Sequence, residues 1–244
     1  HIGNTLLIKS GQEAQWLAKV MFEEKKYGTF SASYEFIKNQ DIKENPEVLK
    51  KVKKYQQAQD ALNGSNQTIA IIDQDYDTLE DNLRSGNSAF ATMIAASLQE
   101  KGSADVGFLF GGCIRNKHVY KKGDAFTYSD ASKELPFGDK FSVIEASGEM
   151  LIEALENGVS KMPANYGSFP QLSDMTYDFN ENQPAGNRII AGSVFIQGQP
   201  LDLNRKYKVA TSNVIVEGRV GYDMFKKAKV LFPPSQDFLL VDIF

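Results

Sequence analysis

Cysteine is almost absent from this chain. Cys113 is the only one among 244 residues, so no disulfide can form within the chain. That excludes a cystine-stapled scaffold and fits either an intracellular setting or a disulfide-poor secreted protein. Histidine is nearly as scarce, with only His1 and His118. A hydrolytic centre with two metal ions draws on several His and Asp ligands. No His-x-His, His-Glu-x-x-His or Cys-x-x-Cys pair occurs here, which argues against a metal centre built by this chain alone. No apolar run approaches the length of a membrane span. Net charge is −4, and no basic face stands out, which argues against a nucleic-acid partner.

What remains is an ordinary globular composition, 42% hydrophobic and 24% charged. The length suits one large domain, or one domain with a fragment of another. Thr5 to Lys9 reads as a strand. Trp16, Ala18, Val20 and Phe22 alternate, then Phe30, Ala32, Tyr34 and Phe36 do the same around Lys25-Lys26-Tyr27-Gly28. That is a hairpin with one aromatic face. Two strands alone are not stable in water, so residues 1–40 need a surface they do not themselves supply. Asn45-Pro46 opens a helix over Pro46 to Leu62, with Asn as cap and Pro in the first turn. Its lysines, Lys50, Lys51, Lys53 and Lys54, read as a solvated face. The polar segment Asn63–Thr68 ends the helix and carries two adjacent glycosylation acceptor patterns, at Asn63 and Asn66.

Beyond this linker, strands and helices alternate. Strands are predicted at Thr68–Ile72, Val106–Phe110, Phe141–Ile144, Met175–Phe179, Ile189–Ile196, Tyr207–Ser212 and Phe238–Ile243. Helices are predicted at Asn87–Glu100 and from Ser147, with Gly158 closing the second. Gln197-Gly198-Gln199-Pro200 reads as a turn. The pattern predicts an α/β (α+β) class with a mixed sheet and flanking helices. Asp73-Gln74-Asp75-Tyr76-Asp77 looks like the start of a calcium loop. Thr78 stands where that loop needs Gly, and Arg84 where it needs a bidentate Glu, so calcium is rejected there.

The segment with most chemistry is Phe110-Gly111-Gly112-Cys113-Ile114-Arg115, which follows the apolar run Val106-Gly107-Phe108-Leu109. Glycines after a strand let backbone approach a bound group, and the Arg brings a fixed positive charge. A plain turn is the alternative reading. From this loop on, the motif order resembles the C-terminal domain of the 5′-nucleotidase family, which includes periplasmic UDP-sugar hydrolases and ecto-5′-nucleotidases. The resemblance runs through Lys122-Gly123-Asp124, Leu135-Pro136-Phe137-Gly138 and the helix from Ser147 to Ser160. It continues through Tyr177-Asp178, Pro184-Ala185-Gly186-Asn187-Arg188, Gly198-Gln199-Pro200-Leu201-Asp202 and Tyr207-Lys208-Val209-Ala210-Thr211.

The resemblance implies four segments. Residues 1–40 would be a hairpin from the end of a metallophosphoesterase domain, and 41–66 a linker helix and loop. Residues 67–230 would be the C-terminal-like domain, and 231–244 a final strand. It also implies a nucleotide site in which two aromatics hold the base, an Asn fixes it, an Asp takes the ribose hydroxyls and arginines reach ribose and phosphate. Position by position, Phe137 matches the first aromatic and Arg115 an arginine. The Asn falls on Phe110, the second aromatic on Val214, the ribose Asp on Val220, and a glycine on Arg219. The resemblance further implies two divalent metals, held by an N-terminal domain whose motifs lie upstream of everything here. No cofactor is expected in this chain itself.

The predicted binding residues are therefore Phe110, Gly111, Gly112, Arg115, Phe137 and Arg219. Three readings follow. The chain is the recognition domain of a 5′-nucleotidase-like phosphoesterase; or it is an inactive structural module with a decayed pocket; or it binds another phosphate-bearing ligand through Arg115 and Arg219. Partners would be a nucleotide or phosphate-bearing ligand, and an N-terminal metallophosphoesterase domain or another protein covering the hairpin. The family is mostly periplasmic or extracellular, and the single cysteine leaves the compartment open.

Overall fold

The structure is a computed structural model that describes residues 5–11, 14–62, 67–235 and 238–243. Asn63 and Asn66 lie outside the described residues. The chain divides between Ala58 and Gln59 into two compact units. The first holds a hairpin of β1 (Trp16–Lys25) and β2 (Thr29–Lys38), joined by a tight turn in which Gly28 has φ +70°. The register sets Ala18 opposite Phe36, Val20 opposite Tyr34 and Phe22 opposite Ala32, so the alternating apolar positions do share one face. That face is open: Phe22 is 73% exposed and Phe30 66%. A strand was predicted at Thr5–Lys9, but only Thr5 forms a bridge.

The helix α1 (Pro46–Leu62) begins where the sequence places it, since Asn45 Oδ1 accepts from the Glu47 and Val48 amides at 3.0 and 3.2 Å. The unit boundary falls inside this helix.

In the second unit the chain runs through β3 (Thr68–Ile71), β4 (Tyr76–Asp77), α2 (Glu80–Ser85) and α3 (Ala89–Gly102). It continues as β5 (Val106–Phe110), β6 (Val119–Tyr120), β7 (Ala125–Thr127), α4 (Tyr128–Glu134), β8 (Phe141–Ser147) and α5 (Gly148–Val159). It closes with β9 (Pro170–Ser173), β10 (Met175–Thr176), β11 (Phe195–Ile196), β12 (Gln199–Pro200), β13 (Lys206–Ser212), α6 (Asn213–Val216) and β14 (Lys229–Phe232). Five strands form the main sheet in the order β14-β8-β13-β5-β9. Only β13 and β5 run parallel; the other neighbours are antiparallel, so the sheet is mixed, as expected.

All five residues of β5 are buried, so both faces of the sheet are covered at this strand. α3 packs across β5, β9 and β13 with Phe90, Ile94 and Leu98 in the core. The approach is close enough that a Cβ on Gly107 would lie 1.9 Å from the Ala95 carbonyl oxygen. Glycine is there to let helix and strand meet. Gly158 was predicted to close α5. It lies inside the helix instead, where an added Cβ would sit 2.5 Å from the Pro170 ring. The Gln197-Gly198 turn holds: both residues have positive φ, at +51° and +73°, as a two-residue hairpin between twisted strands requires.

Three predicted strands shrink. Ile189 makes only a single bridge to Phe179, and regular pairing near it is confined to Phe195–Ile196; the Met175 strand ends at Thr176. The predicted terminal strand Phe238–Ile243 is a single bridge at Leu239 followed by a 3-10 turn over Leu240–Ile243. The edge strand lies earlier, at Lys229–Phe232, and ends where Pro233-Pro234 can offer no amide to a ladder.

Candidate functional site

Gly111 to Cys113 form a short 3-10 turn that carries the chain from the end of β5 toward Arg115. The Gly111 amide donates to the Phe169 carbonyl at 2.8 Å, and the Gly112 amide to the Gly167 carbonyl at 2.9 Å. Both amides are thus bonded to the protein's own main chain. The space a Cβ would take is also filled, by the Leu83 carbonyl for Gly111 and by Gly167 for Gly112. These glycines let the loop press against α2 and the 167–169 segment. The sequence suggested close approach to a ligand; the close approach seen is to neighbouring backbone. Phe110 is buried in the core at 6% exposure, so it offers no face for stacking. Cys113 is buried as well, and burial pushes its thiol up to about 12, leaving it an inert core group.

Arg115 and Phe137 are brought together. Arg115 is exposed, and its guanidinium lies 5.2 Å from the centre of the Phe137 ring, which is itself 54% exposed. The pair sets an exposed aromatic ring, which can take a flat group, beside a fixed positive charge, which can take an anionic one. The pair is held from behind. The Arg115 amide donates to the Glu134 main-chain carbonyl at 3.0 Å, at the end of α4.

The Glu134 side chain is wholly buried and was not legible as a site residue. Its carboxylate accepts from the Tyr120 hydroxyl at 2.7 Å, the Thr78 hydroxyl at 3.0 Å and the Asn116 amide at 3.2 Å. Those hydroxyls are themselves already accepting: Thr78 Oγ1 from the His118 amide at 2.9 Å, and Tyr120 from Asn116 Nδ2 at 3.0 Å. One carboxylate therefore terminates a network that fixes residues 115–118. Burial pushes the Glu134 carboxyl above its usual range, against the pull of these donors.

Beside Arg115 lies a second group, outside the six predicted binding residues. Arg84 of α2 pairs with Glu80 one turn earlier, and Lys117 Nζ lies 3.2 Å from the other Glu80 oxygen. Burial raises the Glu80 carboxyl, but Lys117, Arg84 and Arg115 outweigh it and hold the group below the usual carboxylate range. The i, i+4 spacing of Glu80 and Arg84 was legible; its junction with the Arg115 loop required the fold.

Arg219 forms its ion pair outside the Glu80 group. It pairs with Glu217 at 2.6 Å, both side chains largely exposed. It acts on Asp139, whose carboxyl is raised by burial and lowered in part by this Arg. Val214 and Val220 both pack against the core. Val220 has φ +56°, between Gly218 at +70° and Gly221 at +86°. A β-branched residue in that region is strained.

Asp75 and Asp77 have local partners: Asp75 bonds Lys121 and the Lys122 amide, and Asp77 bonds Asn82 and the Leu79 amide. Among the described residues, no three His, Cys, Asp or Glu side chains gather as a metal site. The two metals that the resemblance implies belong to an upstream domain, and no catalytic step is assigned to this chain. No helix among the described residues is long and apolar enough to cross a membrane.

Residues 68–227 match the family described as 5′-nucleotidase, C-terminal domain. The trifunctional nucleotide phosphoesterase protein YfkN of Bacillus subtilis is 27% identical over 197 residues, covering 78% of this chain and 13% of that protein. The 5′-nucleotidase of Bos taurus is 26% identical over 228 residues, covering 87% of this chain and 39% of that enzyme. The crystal structure of a 5′-nucleotidase precursor from Thermus thermophilus superposes with a TM-score of 0.73 at 24% identity. That match covers 94% of this chain and 46% of the other, and shows a shared fold. The chain therefore spans less than half the length of each of these relatives. On the family match, which covers most of the chain and all of the main sheet but one edge strand, this protein belongs to the 5′-nucleotidase family through its C-terminal domain.

Proposed function

We propose that the second unit is a ligand-recognition module for a nucleotide or another phosphate-bearing ligand, serving a phosphoesterase domain elsewhere in a longer protein. The observation that carries this is the Arg115 guanidinium poised over the exposed Phe137 ring on a loop braced by buried bonds. In this reading Phe137 stacks on the base and Arg115 reaches the ribose or phosphate. Gly111 and Gly112 shape the loop, Phe110 anchors it, and Arg219 lies at the flank as a secondary contact. Residues 1–40 are read as the end of a metallophosphoesterase domain, which would cover the open hairpin face, with 41–66 as the linker.

The test is calorimetry with AMP and UMP on the whole chain. Phe137→Ala should cost about 1–3 kcal/mol, the usual worth of one stacked base. Arg115→Ala should cost about 1.5–3 kcal/mol, the worth of a charged hydrogen bond. Each corresponds to roughly a tenfold to hundredfold weaker Kd, at about 1.4 kcal/mol per decade. No measurable binding by the unmodified chain at millimolar nucleotide would sink the proposal.

A second reading, an inactive structural module, is favoured by one specific observation. Phe110, Val214 and Val220 put apolar bulk packed on the core at the positions where the family's polar and stacking groups fall. Val220→Asp separates the two readings. Its left-handed backbone accepts Asp more readily than Val, and a melting curve checks that the fold survives the loss of apolar packing there. If the site recognises ribonucleotides, the new carboxylate should tighten UMP relative to its 2′,3′-dideoxy analogue. Equal binding of the two by the variant favours the structural module.

A further inference from the structure

Glu80 is a carboxylate surrounded by cations from two parts of the chain. Arg84 reaches it from the same helix, and Lys117 from the loop that carries Arg115. The contacts are partly shielded: side-chain exposures are 17% for Arg84, 28% for Glu80 and 35% for Lys117. The Nε of Arg84 is buried with no hydrogen-bond partner among the described residues. Lys117 holds its place with φ +54°, an uncommon backbone state for a lysine, while the flanking Asn116 and His118 amides are tied to Glu134 and Thr78. The cation is thus presented by a fixed loop. Three positive groups, Arg84, Lys117 and Arg115, act on this one carboxylate.

We propose that Glu80 is a specificity-determining residue, an internal carboxylate that occupies Arg84 and Lys117 and competes with the phosphate of an incoming ligand for them. The proposal rests on the reading that Arg115 and Phe137 receive a phosphate-bearing ligand. It adds that the affinity of the site for anions is held down from within. A neutral nucleoside would not feel the competition, because it makes no claim on Arg84 or Lys117. A phosphate monoester would, since it carries about −1.5 to −2 charges near neutral pH and would seek the same donors.

Glu80→Gln keeps the shape and removes the charge. Calorimetry on the whole chain should show UMP binding about fivefold to tenfold more tightly, the size expected when one nearby like charge is removed from a partly screened site. Uridine should bind unchanged, and the gain should disappear in Glu80→Gln combined with Arg84→Ala and Lys117→Ala. Glu80→Ala should move UMP in the same direction. A melting curve close to that of the unmodified chain confirms that the fold is kept. If the unmodified chain binds UMP and Glu80→Gln binds it equally or more weakly, Glu80 only positions the two cations, and the proposal is overturned. If neither form binds UMP, the Arg115–Phe137 reading fails separately. Pyrophosphate then still decides about Glu80: tighter binding by Glu80→Gln supports the internal competitor, and equal or weaker binding refutes it.

Discussion

Gly111→Ala should lower the melting temperature of the second unit by about 5–10 °C, and calorimetry should find nucleotide binding abolished with it. The reason is volume. An added Cβ would lie 1.9 Å from the Leu83 carbonyl oxygen and 2.7 Å from its carbon. Those are backbone atoms of α2, which cannot swing aside as a flexible side chain could. The φ of Gly111 is not in the left-handed region, so the cost comes from overpacking, about 1–3 kcal/mol and occasionally more. Relief requires the loop and α2 to separate. That would carry Arg115 away from Arg84 and Glu80, so binding fails even where the chain still folds. Gly112→Ala is the internal control. Its nearest obstacle is the Gly167 carbonyl oxygen at 3.0 Å, and a smaller drop is expected. Equal melting curves for Gly111→Ala and the unmodified chain would refute the packing argument.

Glu134→Ala should cost several kcal/mol in urea unfolding, a large share of the roughly 5–15 kcal/mol that a domain has available. The Thr78 and Tyr120 hydroxyls and the Asn116 amide would each lose the acceptor they now share. A buried polar group left unsatisfied costs about 1–3 kcal/mol. The conservative change is informative. Glu134→Gln keeps an oxygen but adds an NH2 among groups that are all donors toward it. The Thr78 hydroxyl can turn its proton to the His118 carbonyl, 3.4 Å away, but the Tyr120 hydroxyl and the Asn116 amide have no such second acceptor among the described residues. Glutamine should therefore recover only part of the loss. Full recovery by glutamine would show that one accepting oxygen is enough and that the network is looser than its bond lengths suggest.

These two residues also show where sequence reading stops. Gly111 was legible as a glycine in a loop, and its obvious use was a ligand. That its neighbour is the Leu83 carbonyl depends on α2 lying against the loop, which no local pattern states. Glu134 was invisible. It lies in a stretch to which the sequence reading assigned no element, yet it is 0% exposed and joins groups as far away in sequence as Thr78. Phe110 illustrates the reverse: an aromatic at a family ligand position looks like a stacking surface, and the fold places it in the core. Arg115 and Phe137 were legible because they lie in ordered motifs with few alternatives, and the structure sets them 5.2 Å apart.

By itself the sequence determined the class of fold, the hairpin and its aromatic face, the start of α1, the positive-φ turn at Gln197-Gly198 and the family. Each depends on short-range rules: side-chain alternation, an Asn cap, a glycine where φ must be positive, and motifs in order along the chain. The tertiary structure alone decided which strands survive, as at Ile189–Ile196, and where the last strand lies relative to Pro233-Pro234. It alone decided that the two glycine amides are bonded to backbone, and that Glu80 draws cations from both α2 and the Arg115 loop. Those outcomes depend on which atoms far apart in sequence come within a few ångströms of each other. Overpacking, buried bonds and charge pairing act only at that range, so the sequence names the participants and the fold decides how they are used.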